Sequence, residues 1–194
     1  MSQPDVFEYL LRLADDRLVL GHRVSEWCGH APILEEDIAL ANIALDLIGQ
    51  ANLLLTAAGA AEGKGRDADA LAFLRDELDY RNALIVELPK GDFGFTLTRQ
   101  FLFSAHALVL TDALRSSKDA ELGGLADKMH KESRYHVRHS GDWMLRIGDG
   151  TEESHQRAQA AVNELWRYTG ELFLAADIER RLAAQGIAVA SSKL

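Results

Sequence analysis

Residues 34–58 carry the sequence LEEDIALANIALDLIGQANLLLTAA, which has the pattern of a long amphipathic helix. The stretch begins with acidic residues, whose negative charge stabilises the positive end of a helix dipole. Glycines follow it at positions 59, 63 and 65 and end the pattern. Apolar residues recur at helical spacing down one side of it, namely Ile38, Ala41, Leu45 and Ile48. We therefore predict one long helix over residues 34–58.

The rest of the chain has the same helical pattern. Sustained alternation rich in β-branched residues, which is typical of strands, is missing from the sequence. Further helices are predicted over residues 4–27, 67–88, 94–116, 119–147 and 152–175, with a shorter one reaching residue 185.

The connections between these helices indicate the fold. The first two helices are joined by a short turn, and so are the helices at 94–116 and 119–147. The connection between the two pairs is long and holds the helix at 67–88. A four-helix bundle with one long crossover is the ferritin-like arrangement. We predict an all-α, ferritin-like bundle with additional C-terminal helices, as a single domain over residues 1–190 with a tail at 191–194.

The amino-acid composition disfavours some kinds of binding partner and some cellular locations. The 194 residues include 21 Lys and Arg against 30 Asp and Glu, a net charge of −9, which disfavours nucleic acid. The single cysteine, Cys28, excludes an internal disulfide and any cysteine cluster for zinc or iron–sulfur. The N-terminus has no basic leader, and no uninterrupted apolar run approaches the roughly 20 residues of a membrane span. We expect a cytoplasmic protein that does not bind membranes.

The bundle geometry indicates where a metal site would lie. Ferritin-like di-metal sites take a glutamate from each of two helices and Glu-x-x-His from each of the other two. Residues equidistant from a turn lie level with each other in an antiparallel pair. Asp15 is therefore expected level with Asp46, and Ser104 level with Glu132.

Much of the ligand set is missing from these positions. Gly49 lies three residues after Asp46, where a metal site needs histidine, and Tyr135 lies at the same spacing after the acidic residue of its helix. Ser104 offers a hydroxyl in place of a carboxylate. We therefore predict neither a metal nor a catalytic residue in this chain. The carboxylates that remain would be remnants of a degenerate site: Asp15, Asp46 and Glu132.

These carboxylates also allow a simpler interpretation. Charges in or near a core must be satisfied by basic neighbours or hydroxyls, and Lys128 lies one turn before Glu132. His136 and His139 lie beside arginines on a polar helix face, which predicts solvent or an interface between subunits around them.

The crossover segment suggests a binding site for an acyl-CoA. Coenzyme A offers phosphates for arginine and an adenine ring for stacking. Suitable side chains lie close together on the predicted crossover helix: Arg75, Tyr80, Arg81 and Asn82. A solvated helix face, with Arg75 and Asp79 as an ion pair, is the alternative interpretation.

Several long stretches resemble a known family. They are LRLADDRLVLGHRVSEWCGHAP, EEDIALANIALDLIGQA, AFLRDELDYRNALIVELPKGDF, KESRYHVRHSGDWMLRIGDGT and NELWRYTGELF. Together they resemble the C subunits of the bacterial phenylacetyl-CoA epoxidases. This resemblance implies a non-catalytic ferritin-like subunit that pairs with a catalytic di-iron A subunit. It also implies a reductase that supplies electrons from NADPH, and an acyl-CoA held at a subunit interface.

Two other functions stay open on the sequence. One is an autonomous di-iron or di-manganese ferritin-like oxidase, which the missing ligands at Gly49, Ser104 and Tyr135 disfavour. The other is a metal-free helical binding module, which the resemblance disfavours. A homodimer of this chain is a further expectation for its assembly.

Overall fold

The computed structural model describes residues 3–194, whose regular elements are all helical. Three short 3-10 helices, at Glu77–Asp79, Gly170–Phe173 and Ser191–Lys193, lie in the connections and at the C-terminus. The predicted all-α, ferritin-like class is confirmed. The α-helices are α1 (Gln3–Ser25), α2 (Leu34–Glu62), α3 (Ala68–Phe73), α4 (Leu84–Glu87), α5 (Phe93–Leu114), α6 (Ala120–Gly148), α7 (Glu152–Thr169) and α8 (Asp177–Ala184).

The long helices form two pairs, α1 with α2 and α5 with α6, and α7 packs against α5. Side chains fix where the second pair begins. The carboxylate of Asp92 accepts the backbone N–H of Phe95 at the start of α5, and that of Asp119 accepts the N–H of Leu122 at the start of α6. Such caps each contribute about 1 kcal/mol, because they satisfy amides that have no partner within the helix.

Two clusters of buried apolar side chains fill the bundle, and polar residues lie between them. Along α2, one cluster ends at Leu47 and the other begins at Ala51, with the buried amide of Gln50 between them. Along α1, the same change occurs between Leu18 and Leu20, next to buried Arg17. A polar layer that includes Arg17 and Gln50 therefore separates the two apolar clusters.

The prediction of one crossover helix over residues 67–88 is wrong. Only α3 and α4 are α-helical there, and the backbone is extended at Tyr80 and Ala83, with ψ of 148° and 147°. The backbone N–H groups of Arg81 and Ala83 donate instead to the carboxylates of Asp15 and Asp16 on α1. Two acceptors on α1 thus replace the hydrogen bonds that a continuous helix would make.

The apolar side predicted for α2 is not its buried side. Ile38 and Leu45 of that stripe are 54% and 67% exposed. The side chains that enter the core lie on the neighbouring face and include Leu40, Ile43 and Leu47. Because α2 is apolar on both faces, its sequence pattern could not indicate which one packs.

Of the described residues, only α2 is long and apolar enough to cross a membrane. In its most apolar window, 44% of the residues are buried inside the protein, and core helices of soluble proteins have the same composition. Its length and apolarity are thus consistent with its place in the bundle.

The last residues, predicted as a tail, make contacts with the helices. Ser191 Oγ donates to Glu179 Oε2 of α8 at 2.8 Å, and Leu194 packs against an apolar cluster. The domain limits of 1–190 and 191–194 stay a prediction.

Candidate functional site

Arg17 lies on the buried face of α1. Leu13 precedes it by four residues and Leu20 follows it by three, and this spacing directs all three side chains to the bundle interior. Only 2% of the Arg17 surface is exposed. A buried guanidinium is costly unless it is hydrogen-bonded and paired, so its partners define the centre of the site.

A chain of hydrogen bonds connects Arg17 to α2 and α6. Arg17 Nε donates to Gln50 Oε1 at 2.9 Å, and its Nη1 donates to the backbone oxygen of Leu13 at 2.7 Å. Gln50 Nε2 in turn donates to Glu132 Oε2 at 2.8 Å. Burial lowers the pKa of Arg17, while the nearby charge of Asp16 and, to a smaller extent, that of Glu132 favour its cationic form. The amide of Gln50 therefore bridges a buried cation and a half-buried carboxylate.

Two histidines of α6 also contact acidic residues of α2. His136 Nε2 lies 3.0 Å from Asp46 Oδ2, and His139 Nε2 lies 2.9 Å from Glu36 Oε2. The sequence predicts solvent or an interface between subunits around both histidines, and the solvent alternative is wrong, because His136 is 2% exposed and the His139 side chain is 10% exposed. Both imidazoles therefore contact carboxylates of α2 and help to pack α6 against that helix.

Asp15 belongs to a different part of the molecule. Its carboxylate forms a buried ion pair with Arg75, in which Arg75 Nη1 donates to Oδ2 at 2.9 Å and Nη2 donates to Oδ1 at 2.5 Å. The backbone N–H of Arg81 donates to the same Oδ2 at 2.8 Å. In this antiparallel pair of helices, Arg17 lies opposite Gln50, and Gly21 lies opposite Leu47 and Ile48. Asp15 is therefore level with residues beyond Gln50, and the expected alignment with Asp46 is wrong.

The remaining positions of the expected site also have partners within the chain. Ser104 Oγ accepts a hydrogen bond from Gln100 Nε2 at 2.8 Å. Glu132 is paired through Gln50, and no hydrogen bond or ion pair within residues 3–194 joins it to Lys128, its expected partner.

The interior does not fit a di-metal centre. Among residues 3–194, no three His, Cys, Asp or Glu side chains are grouped so that they could hold a metal ion. Glu132, one of the positions expected for a metal ligand, is instead joined through the Gln50 amide to the Arg17 guanidinium. A guanidinium has five N–H donors and no acceptor, so it repels metal cations and cannot coordinate them.

The four crossover residues predicted to bind acyl-CoA have partners within the chain. Arg75 forms an ion pair with Asp15, and its guanidinium lies over the ring of Tyr80. The Tyr80 hydroxyl donates to the backbone oxygen of Ala72. Asn82 Nδ2 donates to Glu87 Oε2 at 3.1 Å. The expected Arg75–Asp79 ion pair is absent, since Arg75 contacts only the Asp79 backbone oxygen. Arg81 keeps an exposed guanidinium, which lies 3.1 Å from Glu8.

Asp16 is the most perturbed carboxyl group near this centre. Its Oδ1 accepts the Ala83 N–H at 2.7 Å, which anchors the crossover backbone. Burial raises the pKa of Asp16 to about 7, although the Ala83 hydrogen bond and the Arg17 charge act in the opposite direction. Near neutral pH the group is therefore divided between its acid and its carboxylate.

Sequence reasoning missed Arg17 and Gln50. A signal existed in α1, where Leu13, Arg17 and Leu20 share one apolar stripe, so a charged residue sits at a core position. The direction of each carboxylate depends on the rotation of its helix, which the sequence spacing around a turn does not determine.

Two comparisons relate the chain to known proteins. A family model described as phenylacetic acid catabolic protein matches residues 1–194. The C subunit of 1,2-phenylacetyl-CoA epoxidase from Escherichia coli (strain K12) is 50% identical over 181 residues, which cover 93% of this chain and 73% of that protein.

Replacing Arg17 tests the internal pairing. Arg17→Met or Glu132→Gln alone should destabilise the chain, by about 3–5 kcal/mol for the arginine, because each leaves a buried charge uncompensated. The double variant should lose less than the sum, with a coupling of at least about 1 kcal/mol in urea unfolding. The exposed pair Arg157 and Glu153 on α7 is the matched control, with a coupling below about 0.5 kcal/mol. Equal coupling in both pairs would contradict the internal bridge.

The pKa of Asp16 predicts a pH-dependent stability. Because its native pKa of about 7 lies above its usual 3.8, the native state binds the proton more tightly than the unfolded chain. Wild-type stability should therefore fall as pH rises from about 4 to about 7. Asp16→Asn keeps an oxygen for the Ala83 N–H and should be more stable than wild type at pH 8, by up to about 4 kcal/mol.

The difference should shrink at pH 5, where most of the native carboxyl groups hold their proton. Urea titrations at both pH values measure it, and Asp15→Asn, which breaks the Arg75 pair, should instead destabilise at both. A gap between Asp16→Asn and wild type that does not change with pH is the contrary result.

Proposed function

The chain belongs to the phenylacetic acid catabolic protein family, and we propose that it is the non-catalytic subunit of a multicomponent monooxygenase that epoxidises the aromatic ring of phenylacetyl-CoA. Its role lies in phenylacetate catabolism. The observation that carries the proposal is the Arg17–Gln50–Glu132 bridge, which joins a buried cation to Glu132, one of the positions expected for a metal ligand.

The chemistry of this bridge supports a structural role. Activation of oxygen requires a centre that changes its oxidation state and has an open coordination position. Neither Arg17 nor Gln50 provides either property, and the imidazoles of His136 and His139 are both paired with carboxylates. In this proposal the di-iron centre lies in a catalytic A subunit, a reductase supplies electrons from NADPH, and this chain contributes no metal.

We also propose that the exposed stripe of α2 meets the catalytic subunit in a cytoplasmic complex. The stripe comprises Leu34, Ile38 and Leu45, which are 71%, 54% and 67% exposed and share one face of the helix. Contiguous exposed apolar surface of this kind is typical of protein interfaces. A homodimer through the same stripe is the alternative assembly.

Binding of an acyl-CoA by this chain stays a prediction. Of the four crossover residues, Arg81 is the one whose guanidinium is exposed, and its ion pair with Glu8 is a surface pair of small energy. An acyl-CoA contact would therefore be made by Arg81 at the rim of a subunit interface.

Reconstitution tests the structural role. Glu132→Gln and Asp46→Asn should each weaken a hydrogen bond between α2 and α6, because each removes its charged partner. Both variants should therefore lower the free energy of unfolding of the chain. Epoxidation per assembled complex should stay within about twofold of wild type when these variants are combined with the catalytic subunit and a reductase. Loss of turnover by orders of magnitude with full assembly would contradict a non-catalytic role.

A charge on the α2 stripe should weaken assembly. Leu45→Glu places a carboxylate in the proposed contact and should lower the affinity for the catalytic subunit by more than about tenfold, measured by titration. Leu78→Glu is the control, because Leu78 is 85% exposed on the crossover, away from α2. Undiminished binding of Leu45→Glu would rule out this contact, and loss of self-association instead would indicate a homodimer.

A further inference from the structure

A cavity of about 350 Å³ opens between α1, the crossover, α5 and the C-terminal segment. Its apolar walls come from Leu13 of α1, Leu110 of α5, and Leu172 and Leu174 beyond α7. Leu174 is 72% exposed and stands at the opening to solvent. The volume lies at the lower end of the range for small-molecule sites, so it suits a small ligand or a single side chain.

Three buried polar atoms of the lining residues have no hydrogen-bond partner within residues 3–194: Tyr9 Oη, Arg12 Nε and His106 Nε2. Tyr9 is 2% exposed, and burial raises the pKa of its hydroxyl, which stays protonated. Arg12 Nε approaches Glu8 Oε1 only to 3.5 Å. Folded proteins rarely leave buried polar atoms unpaired. Arg12 Nε can only donate, so a cation cannot be its partner, whereas the Tyr9 hydroxyl and His106 Nε2 can both accept and indicate a missing donor at this cavity.

His106 presents an acceptor to this partner. Burial lowers the pKa of the imidazole to about 4, so the ring is neutral at pH 7. The charge of Arg17 acts in the same direction as burial. A neutral imidazole has one donor and one acceptor nitrogen, and Nε2, which has no partner among residues 3–194, can accept a hydrogen bond.

The carboxyl groups of the cavity add further acceptors. Asp16 uses Oδ1 for the Ala83 N–H, and Glu171 uses Oε2 for the Leu84 N–H at 2.8 Å. Glu179 uses Oε2 for Ser191. The second oxygen of each of these three carboxyl groups makes no hydrogen bond to residues 3–194.

The charges around the cavity are predominantly negative. The arginines of the lining, Arg12 and Arg81, share the single carboxylate of Glu8, which lies outside it. The charge of Arg17, beyond the lining, acts on Asp16, whereas Glu171 and Glu179 form no ion pair within residues 3–194. The missing partner should carry positive charge and several N–H donors.

We propose that this cavity binds an ammonium group on a short apolar stem, with the ammonium donating to the Asp16, Glu171 and Glu179 carboxyl groups and to His106 Nε2. The stem lies against Leu13 and Leu110 and leaves past Leu174. A free alkylamine and the side chain of a lysine from another protein have this same chemistry. The site is independent of the assembly proposed above, since all its residues belong to this chain.

Titration of the isolated full chain with three probes tests the head group. The probes n-butylamine, butan-1-ol and butanoate share one stem and differ in charge, and backbone amide NMR shifts report binding. Butylamine should bind at least about tenfold more tightly than the other two and should shift residues around the cavity. Equal binding of butan-1-ol, stronger binding of butanoate, or no binding of butylamine would overturn the proposal.

Charge-removing variants locate the site. Asp16→Asn combined with Glu171→Gln keeps oxygens for the Ala83 and Leu84 amides and should weaken butylamine binding at least about tenfold. Glu77→Gln removes an exposed carboxylate outside the cavity and should leave binding unchanged. The amide spectra show whether each variant is folded. Unchanged binding in the folded double variant would place the amine elsewhere and refute the assignment.

The assembled complex distinguishes the two sources of the ammonium group. If butylamine binds the complex as it binds the isolated chain, the cavity takes a free amine. If assembly excludes butylamine, and changing an interface lysine of the other subunit to Met restores its binding, that lysine fills the cavity. Failure of assembly would bear on the proposed function alone, because the titration of the isolated chain does not require a partner.

Discussion

The buried guanidinium of Arg17 is the constraint on which the rest of the interior depends. A permanent cation in an apolar bundle must find acceptors, and Arg17 finds them in the Leu13 carbonyl and the Gln50 amide. The same Gln50 amide donates a hydrogen bond to Glu132 of α6. The two apolar clusters can thus pack on either side of a polar layer without leaving the guanidinium unpaired.

The residues before Arg17 determine the path of the crossover. Asp15 and Asp16 both accept backbone N–H groups of the crossover, from Arg81 and Ala83, whereas the next residue, Arg17, pairs with Gln50 in the interior. Each residue of a helix turns by about 100° from the last, which directs Asp15 and Arg17 to different sides. The connection between the helix pairs is therefore held by side chains of α1, although only α3, α4 and one 3-10 helix give it regular structure.

The sequence was sufficient to predict the helix pairs and the ferritin-like class, because apolar periodicity indicates the helices and the short turns indicate which helices are paired. It was insufficient for the crossover, because the carboxylates of α1, which are distant in sequence, bind its backbone N–H groups and hold it extended where the sequence pattern predicts a helix. It was also insufficient for α2, where both faces are apolar and Ile38 and Leu45 could not be distinguished from the buried residues. The absence of a metal from this chain stays a prediction that rests on Gly49, Ser104 and Tyr135. The burial of Arg17 beside Gln50 was not predicted, because helix rotation decides which polar residue reaches the interior.

Anomalous diffraction at the iron edge, from crystals of the assembled complex, is the most direct test of a scaffold in which Arg17 replaces the metals. We expect iron peaks in the catalytic subunit and none within bonding distance of Glu132, with the Arg17 guanidinium in clear density beside Gln50. An iron peak bound to Glu132 or Asp46 of this chain, with Arg17 displaced from the interior, would contradict the scaffold role.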